Sequence, residues 1–170
     1  MRSDQSRAWE VWTDGSSQGN RIEWKHGWLC ERGGYGAVIT RDGKIVAKLY
    51  EGFRNTTNNR QELFGVLHAL KWFKEPSNIV IYSDSQYIVN SINNGSARKW
   101  FQEQDYSKKN LDIWIEILDL IDWNLNVEFK WVKGHAGNKY NELVNDLAQH
   151  AANCLNLKED IKINEKMNSL

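Results

Sequence analysis

Three carboxylates stand where the chain should change direction, each among small or polar neighbours. Asp14 follows the β-forming run Ala-Trp-Glu-Val-Trp-Thr and opens the turn cluster Asp14-Gly15-Ser16-Ser17. Asp84 closes the apolar run Ile79-Val80-Ile81-Tyr82 in a similar manner, and Glu62 falls in the first turn of a helix beginning at Asn58. Carboxylates brought together from element ends make the hard oxygen donor set that Mg²⁺ or Mn²⁺ takes. Each also has an ordinary explanation. An Asp before a turn often builds the turn, and a Glu in a first helical turn answers the helix dipole. His135, in the loop Gly134-His135-Ala136-Gly137, adds an imidazole, a side-chain type able to carry a proton.

The elements that must position these groups are legible from pattern. A strand ending at Asp14 is expected first; then Gly34 to Thr40 and Lys44 to Glu51 read as a hairpin around the Asp42-Gly43 turn. Residues 21–32 mix aromatics with charge and show neither period; Trp24 and Trp28 could share a helical face or pair in a hairpin. Asn58 serves as an N-cap with Gln61 completing a capping box, and Leu63, Val66, Leu67 and Leu70 form the core stripe of a helix that stops before Pro76. Ile79 to Tyr82 suits a strand buried on both faces. Helices over 85–93 and 111–121, an alternating strand over 127–133, and a helix capped by Asn138 and running to about Cys154 complete the order β-β-β-α-β-α-α-β-α. This order predicts an α/β (mixed α+β) fold, with a five-stranded mixed sheet and helices on both faces. Residues 1–155 are expected to be a single domain and residues 156–170 a polar, frayed tail.

Composition narrows the classes. The chain has 170 residues with 22 basic against 22 acidic side chains, so it is not a passive polyanion coat. With 41% hydrophobic residues and one proline it is neither collagenous nor extensively disordered. Cys30 and Cys154 lie far apart without metal-binding spacing, as reduced thiols of a cytoplasmic protein would. There is no run approaching a membrane span and no apolar stretch of a signal peptide near Met1. A cytoplasmic monomer without membrane contact is the expectation.

Five segments occur in series: Thr13-Asp14-Gly15-Ser16, Gly33-Gly34-Tyr35-Gly36-Ala37, Thr56-Thr57-Asn58-Asn59-Arg60-Gln61-Glu62-Leu63, Ser83-Asp84-Ser85-Gln86-Tyr87 and Trp131-Val132-Lys133-Gly134-His135-Ala136-Gly137. Together they resemble the bacterial type 1 ribonuclease H family over roughly residues 8–153. The resemblance implies a ribonuclease H-like fold and a metal-dependent endoribonuclease. Such an enzyme hydrolyses the RNA strand of RNA–DNA hybrids, leaving 5′-phosphate and 3′-hydroxyl ends, with two Mg²⁺ or Mn²⁺ ions per site in the presence of substrate. It also implies that Asp14, Glu62 and Asp84 are the first three metal ligands and that His135 helps product leave. Asn20, Asn58, Asn59 and Gln86 become candidates for reading the hybrid's minor groove and backbone, since amides both donate and accept, with Thr57 on a phosphate.

The chain departs from that family in three places. The fourth carboxylate of the family falls on Asn145, in Asn141-Glu142-Leu143-Val144-Asn145-Asp146, and Asp146 is displaced by about 100° of helix. Asn145 is read as the fourth site residue, ligating through its amide oxygen; the rival is that Asp146 swings in. The basic handle between Ser91 and Asn110 is trimmed: Arg98, Lys99, Lys108 and Lys109 stand against Glu103 and Asp105 over residues 95–109, a surplus of two. Arg98, Lys99, Trp100 and Phe101 are its candidate substrate contacts, an ordinary solvated loop being the alternative. Residues 21–32 form an insertion expected to pack on the body, or else to add a substrate contact. Two other functions compete: a catalytically silent hybrid-binding domain of the same fold and, more distantly, a transposase- or resolvase-like nuclease.

Overall fold

A computed structural model describes residues 7–24 and 27–163. Three long strands form an antiparallel meander: β1 (Trp9–Trp24), β2 (Gly27–Arg41) and β3 (Lys44–Thr56). The Asp42-Gly43 turn joins the second pair, with both residues at positive φ as a tight hairpin turn requires. Helix α1 (Asn58–Trp72) leads into β4 (Asn78–Ser83), and α2 (Gln86–Asn93), α3 (Ser96–Gln102) and α4 (Leu111–Trp123) follow. Strand β5 (Asn126–Trp131), α5 (Lys139–Ala152) and the two-residue β6 (Lys158–Glu159) complete the described chain. The strand order is β5-β4-β1-β2-β3-β6, with β1–β4, β4–β5 and β3–β6 parallel.

Alternation on β1, β2 and β4 sends residues to two cores. Val11, Ala37, Ile39, Ile79 and Ile81 face α1 and α4, where Leu63, Val66, Leu67, Leu70, Trp114 and Ile117 are buried against them. Trp12 and Val38 point to the opposite face and meet Val144 of α5, with Tyr82 stacked on Trp12 at 4.3 Å. Helices therefore cover both faces of a mixed sheet, as the element order predicted.

The differences from expectation have local causes. The first strand does not end at Asp14; it continues ten residues to Trp24 because β2 begins early enough to pair with it, Glu23 opposite Trp28 and Trp24 opposite Gly27. The 21–32 insertion is thus a hairpin extension, with Lys25 and His26 outside the described residues. Thr57, not Asn58, caps α1, its side chain accepting from the Arg60 amide, while Gln61 donates to Thr56 Oγ1 rather than closing a capping box. Only alternate residues of β4 are buried, so it is not covered equally on both sides. Residues 96–102, where no helix was expected, form α3.

The sheet has a sixth short strand, and the expected fraying of the tail is corrected for residues 158–163. Asp160 is 1% exposed and holds Arg60, and Ile163 is buried. Polarity suggested solvent; a buried cation waiting on α1 is what draws this segment in. Residues 164–170 of the tail lie outside the described residues.

Candidate active site

Backbone approach builds the site before any side chain does. Gly15 lies so close to α1 that a Cβ there would sit 2.5 Å from the Glu62 amide nitrogen. The first turn of α1 therefore rests directly on β1 beside Asp14, a contact that only a missing side chain permits. The parallel pairing of β1 with β4, Thr13 opposite Ser83, carries Asp84 to the same end of the sheet.

The outcome is a cluster in which Asp14, Glu62 and Asp84 each offer a carboxylate oxygen, all within 4.8 Å of one another. Asp14 and Glu62 are both 5% exposed. Asp14 Oδ1 accepts from the Gly15 amide at 2.9 Å, whereas Glu62 Oε2 is buried without a hydrogen-bond partner. Burial, reinforced by the charge of Asp84, pushes the Asp14 carboxyl up to about 7. Burial and then the charges of Asp14 and Asp84 push Glu62 up as well. Three acidic groups that repel one another while one keeps an unpartnered buried oxygen are unfavourable alone. The donor set fits a hard divalent cation, which would satisfy the orphaned oxygen and cancel the repulsion.

Asn141, on the first turn of α5, is 3% exposed and its Nδ2 lies 3.5 Å from Asp84 Oδ2. It was not among the residues singled out from sequence, although its position four before Asn145 puts both on one helical face. Asn145 is half-buried, and its Oδ1 accepts from Gln149 Nε2 at 3.3 Å. Asp146 is exposed and is not part of the carboxylate cluster. The loop after β5 abuts the cluster, since a Cβ on Gly134 would lie 2.8 Å from Asp84 Oδ2. His135, next along that loop, is exposed and sits at φ 55°, a left-handed conformation unusual for a residue with a side chain.

The substrate candidates divide. Thr57, Asn58 and Asn59 cluster at the N-terminus of α1, one turn from Glu62, with both asparagines exposed. Gln86 is exposed at the start of α2, two residues after Asp84. Asn20 is exposed at the irregularity of the β1–β2 ladder, where its amide donates to Glu31 Oε2. Lys99 is exposed on α3, but the Arg98 guanidinium makes two 2.8 Å bonds to Asp122 of α4. Trp100 and Phe101 are half-buried; Trp100 packs against the main core, with Lys108 Nζ 5.8 Å from its ring centre. The trimmed handle is therefore tied to the body by Arg98 and Trp100, leaving Lys99 outermost of the named residues.

Known proteins match this chain over most of its length. The RNase H family profile matches residues 6–153. A ribonuclease H of Desulforamulus reducens is 40% identical over 157 residues, covering 89% of this chain and 92% of its own. A ribonuclease HI of Synechocystis sp. is 43% identical over 121 residues, 68% of this chain and 75% of its own. Among solved structures, LC9-RNase H1, described as a type 1 RNase H with the type 2 active-site motif, superposes with a TM-score of 0.71 at 30% identity, covering 85% of this chain and 72% of that one. The matched span holds every element that delivers a carboxylate to the cluster, and this chain belongs to the ribonuclease H family.

Proposed function

We propose that this ribonuclease H works through Asp14, Glu62 and Asp84 as metal ligands, with Asn145 as the fourth site residue. As a member of its family the protein is a metal-dependent endoribonuclease that hydrolyses the RNA strand of RNA–DNA hybrids. The observation that carries the residue assignment is the buried, mutually repelling carboxylate cluster with its unpartnered Glu62 Oε2. Bound divalent ions supply polarisation of the scissile phosphate and an activated water.

The chain's own residues do the rest. Asp14 and Glu62 are held rigid by the Gly15 contact, so the donor set is preorganised rather than assembled on binding. Asn141 orients Asp84 through its amide. Asn58 and Asn59, exposed one helical turn before Glu62, meet substrate, and Gln86 does so beside Asp84. His135, on its exposed loop beside Gly134, takes up and releases a proton as product departs. Asn145 contributes an amide oxygen where a carboxylate would add charge, so metal binds more weakly and the chemistry remains. The exposure of Asp146 supports Asn145 over its neighbour, and LC9-RNase H1 is a relative with an active-site motif of another type. Two Mg²⁺ or Mn²⁺ ions in the substrate complex, a cytoplasmic setting and a monomeric state complete the proposal. The free, well-separated Cys30 and Cys154 support the setting, and among the described residues no helix is long and apolar enough to cross a membrane.

Cleavage assays on RNA–DNA, RNA–RNA and DNA–DNA duplexes with Mg²⁺ or Mn²⁺ test this reading. Cleavage confined to the hybrid, abolished by EDTA and by Asp14→Asn, is expected. Hybrid binding without cleavage under either metal would establish the silent-domain alternative instead.

A further inference from the structure

The β1–β2 extension and the docked tail enclose a cavity that extends from the substrate candidates at the start of α1 to residues the catalytic reading does not use. Its volume is about 540 Å³, and Trp24, Trp28, Tyr106, Lys108, Lys109 and Lys162 line it beside the first turn of α1. Among the described residues no carboxylate lines it. The Arg60 guanidinium in its wall is neutralised from behind by Asp112 and Asp160, so among the described residues its net positive character comes from Lys108, Lys109 and Lys162. Trp28 is 53% and Tyr106 74% exposed, large rings that solvent contact does not reward. Arg21 sits over the Trp28 ring at 5.2 Å, and Lys109 Nζ reaches the hairpin tip, 3.9 Å from where a Gly27 Cβ would stand.

Aromatic platforms interleaved with cations around an open cavity match the chemistry of an unpaired nucleotide, whose base stacks while its phosphate meets the lysines. A paired base is already stacked within its duplex and cannot enter such a space. We infer that the cavity between the hairpin extension, the α3–α4 connection and the tail binds a single-stranded nucleotide continuing from the hybrid. The enzyme would then engage hybrids that adjoin single strands more tightly than blunt ones. This rests on the reading that substrate runs along the first turn of α1, since Asn58 and Asn59 form part of the same wall.

The test is steady-state cleavage of one hybrid sequence in three forms: blunt, with a six-nucleotide single-stranded DNA extension, and with the same extension in RNA. One base stacked at the strength usual for single-strand binders lowers KM roughly tenfold for an extended form, with kcat unchanged. The arm that shows the effect identifies the strand. In Trp28→Ala, and separately in Lys109→Ala/Lys162→Ala, the blunt-to-extended KM ratio falls to about one. A ratio of one in the unsubstituted enzyme, or a ratio that survives both variants, overturns the proposal. Failure to cleave any of the three hybrids would instead overturn the catalytic reading beneath it.

Discussion

Replacing Asp160 by Ala removes the carboxylate that seals a buried cation. Arg60 is 4% exposed and its guanidinium makes five hydrogen bonds: Nε and Nη2 to Asp160 at 2.7 and 3.0 Å, Nη1 and Nη2 to Asp112 at 3.0 and 2.8 Å, and Nη1 to Asn110 at 3.3 Å. Thr56 Oγ1 also donates to Asp160 at 2.9 Å. In Asp160→Ala one bidentate pair is lost and the guanidinium stays buried with half its compensation. Breaking such a pair costs about 3–5 kcal/mol, most of it the penalty of the charge left behind. For a chain of this length each kcal/mol moves Tm by about 2–4 °C, so a drop of roughly 6–20 °C is expected in thermal unfolding followed by circular dichroism. Truncation after Leu157 should lower Tm at least as much, because it removes Asp160 together with β6. Asp160→Asn keeps an acceptor and should lie between. The loss is transmitted to function, since Arg60 anchors the turn of α1 that carries Asn58, Asn59 and Glu62, and KM for the hybrid should rise. If Asp160→Ala melts within about 2 °C of the unsubstituted protein, the tail is not docked in solution and this account of α1 fails.

Three further outcomes follow from the site. Asp14 has its pKa raised in the fold, so its own contribution to the stability of the metal-free protein is fully present below the ordinary carboxylate range and is lost as pH rises toward about 7. Asp14→Asn should weaken that dependence, Glu62 keeping its own share, and raise the metal-free Tm at pH 8 by several degrees, with about 4 kcal/mol as the ceiling, while abolishing cleavage; an unchanged pH–Tm curve would contradict it. Asn145→Asp should lower the Mg²⁺ concentration giving half-maximal cleavage by roughly tenfold through the added ligand charge, and Asp146→Ala should leave it unaltered; the reverse pattern would transfer the role to Asp146. Gly15→Ala places a methyl group 2.5 Å from the Glu62 amide, so α1 must shift; kcat should fall by at least tenfold, read as loss of turnover with hybrid binding largely retained.

Much of this molecule is written in short-range signals. The Asp42-Gly43 turn, the Asn138 cap, the stripe Leu63-Val66-Leu67-Leu70 and the alternation of strand residues depend on neighbours a few positions away, and local chemistry decides them. Asp14, Glu62 and Asp84 were recognisable for the same reason, each beside a turn or helix start, with the ribonuclease H resemblance linking them. Whether they converge was not local: it needed Gly15 pressed against α1 and β1 paired with β4. Pairing also decided the length of β1, because residues 15–24 lack a clear period and become a strand only when residues 27–36 lie alongside. The tail shows the limit most plainly. Lys158, Asp160 and Lys162 read as solvated polar residues, yet Asp160 is buried by a partner 100 positions away. Residue type together with the family resemblance pointed to the three carboxylates; only the closed chain could decide which charges are solvated and which are buried in pairs, since that depends on contacts between segments remote in sequence.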